Sequence, residues 1–373
     1  MNTGSSRQIL NRRTFLKLLA AGSATAIGSY VLSEYAPWLP YEGQVEQTWK
    51  PLGTKPSLSA QTIELVRYAT LAPNGHNTQP WKFAVQDDAI EIHPDYSRAL
   101  TVVDPDHREL WISLGCALEN LLVAARARGF AAEVTYPNAQ DFIRVALTPD
   151  TPQNDLLFEA IPLRQNTRSE YDGQLIRTAD LDQVQALPLE SGVSSHFVTS
   201  PDQLEMVLEY VNQGNLSQYA NQAFLDELIH WLRFNKKEAM STLDGLYSRC
   251  SGNPEVPRWL GQTFVAGTKP QQQADTDAGK LRRSSAAVVI ASETDDKTAW
   301  VRTGQVYERL ALKTTSLNIK SAFLNQPIEV KEIRSQFQSA IGLGSFMPQL
   351  LVRLGYAVLM PRSLRRPVEQ VLV

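Results

Sequence analysis

The strongest constraint on this 373-residue chain is an internal repeat, offset by 189 positions. At that shift Trp111 falls on Trp300, Gly115 on Gly304, Glu119 on Glu308 and Leu121 on Leu310. Ile112 meets Val301, Val123 meets Leu312 and Phe130 meets Ile319. Each copy has a long amphipathic helical pattern, about 107–129 and 298–318, that runs into a strand. Each later carries a short apolar strand around an arginine, Arg144 and Arg353. Two amphipathic helices share a few identities by chance, so the order of elements carries the inference more than the identities do. The chain is expected to be a single-chain pseudo-dimer of two related halves, 58–150 and 151–373. The second half holds a lid-like insertion at about 214–284.

Local patterning fills in the halves. Trp81–Gln86 and Ala89–His93 alternate around Asp87-Asp88 and predict a hairpin. Residues 131–136 and 142–147 predict strands, and the β-branched run Ser285–Ser292 another. Gly129 is a helix stop. The run Lys269-Pro270-Gln271-Gln272-Gln273 is a loop by composition. Residues 37–57, with four prolines and two tryptophans, predict a linker wrapping a domain surface.

Composition excludes several classes of function. Apolar residues make up 43% and charged residues 20%, which is ordinary for a globular chain. The net charge of -3 is the remainder of 39 acidic and 36 basic groups, and no basic stripe is visible, which argues against a nucleic-acid partner. Cys116 and Cys250 are too few for a disulfide framework or a zinc site. His76, His107 and His230 have no metal-ligand spacing and receive no catalytic role.

The N-terminus departs from this. Asn11-Arg12-Arg13-Thr14-Phe15-Leu16-Lys17 precedes a weakly apolar run, Leu18–Leu32, so residues 1–36 form a targeting or anchor segment. The paired arginines with Phe15 and Lys17 resemble a twin-arginine export signal, the alternative being an ordinary secretory signal. The expected partner is the twin-arginine translocase. The expected location is the periplasm, or the outer side of the inner membrane if the segment stays attached.

Four segments carry chemistry. In Ala72-Pro73-Asn74-Gly75-His76-Asn77-Thr78-Gln79-Pro80-Trp81, the Pro-Asn-Gly turn permits positive φ and close approach to a flat ligand. The amides of Asn77 and Gln79 can address a ring bearing carbonyls and nitrogens. In Leu163-Arg164-Gln165-Asn166-Thr167-Arg168-Ser169-Glu170-Tyr171, two arginines with short polar groups between them suit a phosphate dianion. Asn325-Gln326-Pro327-Ile328-Glu329 and the basic run Pro361-Arg362-Ser363-Leu364-Arg365-Arg366-Pro367 complete the set. The latter reads equally as a solvated tail.

The first of these segments resembles the APSxxNxQPWxF loop of the nitroreductase family, and within it the Acg-like branch. The resemblance implies an α+β, three-layer α/β/α sandwich with a central, mainly antiparallel sheet. It implies FMN as cofactor. Pro73, Asn74, Gly75, Asn77 and Gln79 would line the flavin ring. Arg164, Asn166, Thr167 and Arg168 would hold the phosphate and ribityl chain. Gln326, Pro327, Ile328 and Glu329, similar to the family's PIEG loop, would lie over the ring near N5, and Arg362, Arg365 and Arg366 would meet the phosphate. Asn77 and Lys82 would face N1 and O2 of the ring. Each motif occurs once, which leaves material for one flavin per monomeric chain. The implied function is an exported FMN-dependent oxidoreductase passing hydride through N5 to a small electrophile or quinone. Its electron donor would be a nicotinamide, a quinone or a protein. The rival reading is a non-catalytic, flavin-sequestering protein.

Overall fold

A computed structural model describes residues 39–50, 58–86, 88–137, 140–153 and 155–373. The expected export signal lies outside the described residues. The first half runs α1 (Tyr41–Trp49), α2 (Leu58–Thr70), β1 (Trp81–Val85), β2 (Ala89–Pro94), α3 (Arg108–Ala127), β3 (Phe130–Thr135) and β4 (Ile143–Pro149). Then come α4 (Leu156–Ala160), α5 (Thr178–Gln185), β5 (Val193–Val198), α6 (Pro201–Tyr219), α7 (Gln222–Trp231) and β6 (Leu232–Arg233). They are followed by α8 (Lys236–Thr242), β7 (Leu246–Tyr247), α9 (Arg258–Ala266), α10 (Pro270–Arg282) and β8 (Ala286–Ser292). The chain continues with α11 (Lys297–Ser316), β9 (Lys320–Phe323), α12 (Gln326–Glu329), α13 (Lys331–Ala340) and β10 (Met347–Gly355).

The α+β class is as expected, with the antiparallel sheet divided four strands to each half. The orders are β1-β2-β4-β3 and β5-β8-β10-β9. In both, a long helix follows the second strand, and the last strand inserts between the second and third. The repeat seen in the sequence is therefore a repeat of topology. The long helices α3 and α11 pack on each other in one core, joined by Trp81, Phe83, Ile90 and Val145 from the first sheet. Val288, Ile290, Val352 and Leu354 join it from the second.

Strand β8 is buried along its whole length. Its alternate residues Ala287 and Val289 face a second cluster containing Val207, Val211, Leu281 and Phe337, supplied by α6, α10 and α13. Helices thus cover both faces of the second sheet, giving the α/β/α layering. Helix α6 starts where Ser200 caps the backbone N–H of Gln203 and Pro201 occupies the first turn.

Two local expectations are corrected. Lys269–Gln273 is not a loop: Lys269 is the N-cap of α10 and Pro270 sits in its first turn, where its missing N–H costs nothing, followed by glutamines that favour helix. The expected linker holds α1 between its prolines, and Tyr41 and Trp49 are buried. Trp49 Nε1 donates to Ser363 O at 2.9 Å, and Arg362 and Arg365 stack on its ring, so α1 is pinned to the C-terminal segment.

Candidate cofactor site

The Ala72–Gln79 loop connects α2 to β1 and is held in an unusual conformation. His76, Asn77 and Gln79 all have positive φ, between 49° and 55°. Side chains disfavour that region, and such residues persist only where their surroundings over-determine them. Here they do. Asn74 Oδ1 accepts from Gln79 N at 2.8 Å, closing the loop on itself. Asn77 Nδ2 donates to Gly245 O at 3.0 Å, and Gly245 N returns a bond to Asn77 O at 3.1 Å. Gln79 Nε2 donates to Leu243 O at 2.8 Å, and its Oε1 accepts from Arg366 N at 2.8 Å. Arg98 pairs with Asp244, which also binds Arg233 at 2.6 Å. The insertion and the C-terminal segment together clamp a loop of the first half.

Beside this loop runs a narrow slot of about 60 Å³ lined by Pro73, Asn74, Asn77, Arg164, Asn166, Arg168, Arg362 and Arg365, with Trp49 at its edge. Four guanidiniums converge there from two distant segments. They differ in what they already hold. Arg164 donates to Leu71 O at 2.8 Å and lies 3.2 Å from the Glu308 carboxylate. Arg362 donates to Pro162 O and to Leu163 O. Arg365 Nη1 donates to Asn77 Oδ1 at 2.8 Å and Nε to Thr70 O at 3.1 Å, and burial lowers its pKa to about 9. Among the described residues Arg168 donates one hydrogen bond, to Ser251 Oγ at 3.5 Å, and no carboxylate pairs with it. Burial lowers its pKa too.

Arg168 and Leu246 also belong to the wall of a second, larger cavity of about 660 Å³. Phe224, Phe234, Phe323 and Tyr219 give it flat apolar surface, and His76, Gln326, Glu329 and Arg353 give it polar groups. That volume falls within the range of small-molecule sites. Glu329 accepts from Gln218 Nε2 at 2.5 Å, and burial, opposed by that bond, raises its pKa. Burial, and secondarily the charge of Arg168, lowers His76 to about 4, so it is neutral at pH 7.

The structure brings Pro73, Asn74, Asn77, Arg164, Asn166, Arg168, Arg362 and Arg365 to the slot, and Arg168, Gln326 and Glu329 to the cavity. Six expected ligand residues line neither. Gln79 and Thr167 are fully buried, and Pro327 and Ile328 are buried, Ile328 within the second core cluster. Gly75 abuts Leu100, and Arg366 donates to Gln79 O at 2.7 Å. The amides of Asn77 and Gln79 were expected to face a ring; protein carbonyls and Arg365 occupy them instead. Lys82 points outward toward Asp95, 3.9 Å away and half exposed. The C-terminal arginines are not a solvated tail. Sequence reasoning passed over His76, Trp49 and Arg353. Positive φ at His76 was the one detectable signal, through the adjoining Asn-Gly turn.

These features define a two-half α+β protein in which a basic slot adjoins a larger, aromatic-walled cavity, the two sharing Arg168 and Leu246. The chain is similar to a Mycobacterium tuberculosis protein provisionally named NAD(P)H nitroreductase Rv3131, with 28% identity covering 84% of this chain and 91% of the relative. It is also similar to the mycobacterial protein provisionally named NAD(P)H nitroreductase acg, with 24% identity over 82% of this chain and 93% of the relative. Among solved structures it resembles a provisionally named nitroreductase from Anabaena variabilis, at 10% identity, 84% and 91% coverage and a TM-score of 0.46. It also resembles an FMN-bound nitroreductase from Bacteroides fragilis, at 18% identity, 57% and 96% coverage and a TM-score of 0.35. No protein-family profile matches the chain.

Proposed function

We propose that the protein is an FMN-dependent oxidoreductase of nitroreductase type. The observation that carries this reading is Arg168, a half-buried guanidinium with no carboxylate partner among the described residues, on the wall shared by the slot and the cavity. A cation partly withdrawn from water is costly unless an anion meets it. A phosphate at the Arg168 end, with a planar ring in the aromatic-lined cavity, satisfies both chambers at once. Arg164, Arg362 and Arg365 add positive charge from fixed positions, and Asn166, braced by Tyr307 at 3.0 Å, adds a polar edge. The names of the mycobacterial relatives agree with this assignment.

Bound FMN would supply hydride transfer; the chain supplies position and electrostatics. Gln326 and Glu329 border the cavity where acceptors would enter. A nicotinamide is the first donor to test, given the relatives' names, with a quinone or protein donor required if the protein works outside the cytoplasm. Export through the twin-arginine route rests on Arg12-Arg13 in its sequence context, and such export carries folded, cofactor-loaded proteins. Changing both arginines to lysine should retain the protein in the cytoplasm; undiminished export would exclude this route.

The flavin-sequestering alternative has one structural support: the insertion walls the large cavity through Phe224, Phe234 and Phe264. Stopped-flow reduction of the bound flavin by NADH, NADPH and a soluble quinol, followed by reoxidation with quinones and nitroarenes, separates the two. A flavin that binds but accepts electrons from none of these would leave the sequestering reading.

A further inference from the structure

Strand β10 carries Arg353, which is 1% exposed and yet forms part of the large cavity's wall. Its Nη2 donates to Ser169 O at 2.8 Å and to Thr167 O at 3.3 Å. Its Nε and Nη1 have no partner, and no carboxylate pairs with it among the described residues. The ring of Tyr171 lies 3.9 Å below the guanidinium, in space left by Gly355, where a Cβ would come within 2.5 Å of that ring. Tyr171 Oη and Ser169 Oγ are also buried without partners.

The fold itself does not require this charge: Ala322, opposite Arg353, corresponds under the 189-residue offset to Glu133, and the residue opposite Glu133 is Ala146. Arg144 occupies the matching strand of the first sheet, where it is half-buried and lies across from Glu91 and Thr135. Arg353 lies across from Ala287 and Ala322, two small residues with no carboxylate to pair with its head group. Lys280, on the same wall, is already paired with Asp277 at 3.0 Å. A fully buried cation held over a tyrosine ring, with two donors free and its neighbouring carboxylates, Asp277 and Glu170, not in ion-pair contact with it, is arranged for an anion from outside the chain.

We propose that Arg353 is the anion-recognition group of the large cavity and selects a planar, aromatic ligand bearing a carboxylate. Phe224, Phe234, Phe323 and Tyr219 wall a cavity of about 660 Å³ that takes the ligand's ring beside the flavin's, and Arg353 takes the carboxylate. That this ligand is an electron acceptor rests on the flavin reading; that it binds does not. Arg168 is left to the flavin phosphate.

Isothermal titration of the purified protein with benzoate and with benzyl alcohol, at one salt concentration, tests this. Benzoate should bind about tenfold more tightly or better, the contribution expected of one charge-assisted contact. Arg353→Met should erase the preference, Arg353→Lys should keep part of it, and affinity for FMN should stay within about twofold in both. Equal affinity for the two probes in the unmodified protein would overturn the proposal without relying on any variant. So would an Arg353→Met protein that binds FMN more weakly but riboflavin normally, because Arg353 would then be a phosphate ligand. Flavin uptake is read separately by absorbance, so a protein that binds benzoate selectively but no flavin would refute the flavin reading alone.

Discussion

Gly115 and Gly304 meet at the crossing of α3 and α11, each against the backbone of the other helix. A Cβ at Gly115 would lie 2.0 Å from Val301 O, and one at Gly304 would lie 2.1 Å from Ile112 O. Ile112 and Val301 are themselves equivalent under the 189-residue offset, so the contact is reciprocal. Reciprocity of this kind belongs to an isologous interface, in which residue i meets j and j meets i. Here it joins two halves of one chain.

Gly115→Ala and Gly304→Ala should therefore destabilise the protein by similar amounts. Overpacking costs about 1–3 kcal/mol where side chains can yield, and backbone carbonyls yield less, so about 3 kcal/mol or more is expected. Urea midpoints of the two variants give the comparison. A loss at one position and none at the other would break the symmetry.

Arg168 and Arg365 line the same slot and should behave differently. Arg168→Ala should weaken FMN about tenfold or more and leave riboflavin nearly unchanged, since it removes a charge-assisted contact to phosphate. Arg365→Ala strips partners from Asn77 and from the carbonyls of residues 70–72, so it should lower stability by at least about 2 kcal/mol and weaken both ligands alike. Paired titrations with thermal unfolding distinguish the two outcomes.

His76 predicts a pH dependence. Its folded pKa of about 4 lies below the unfolded value of 6.5, so the unfolded chain takes up the proton first as pH falls. Its contribution is complete above about pH 6.5 and is lost as pH drops toward 4, by roughly 2–3 kcal/mol at pH 4.5. Denaturation of the flavin-free protein between pH 7.5 and 4.5 should show this decline. His76→Gln should remove that share of it; an unchanged slope would mean the imidazole is hydrated or paired in solution.

The Pro73–Gln79 and Arg164–Arg168 segments each occur once, and both reach one slot within one chain. The expected stoichiometry is one FMN per monomer. Light scattering with flavin absorbance on one sample reads both numbers. Two flavins per chain, or flavin loss on dilution to monomer, would rule out a site completed within a single chain.

What could be read without coordinates was what local and periodic chemistry controls. The hairpin at Trp81–Pro94, the long helices α3 and α11, the strand at Ala286–Ser292 and the offset linking Gly115 to Gly304 all follow from periodicity, because burying one face imposes it on neighbouring residues. The expectation that basic and polar segments gather about one site came instead from the resemblance of Ala72–Trp81 and its companion segments to the nitroreductase family. What each polar side chain does there was settled only by tertiary contacts. Asn77, Gln79, Arg365 and Arg366 look like ligand-binding groups in isolation, yet they bond mainly to one another and to carbonyls far away in the chain, as in the Asn77–Arg365 pair, 288 residues apart. Arg353 looks like one more strand residue, but the small residues opposite it and the ring beneath it leave two of its donors unmet. A buried donor must find an acceptor. Whether that acceptor is the protein's own backbone or a ligand depends on which distant segments fold against it, and the types of the residues do not carry that information.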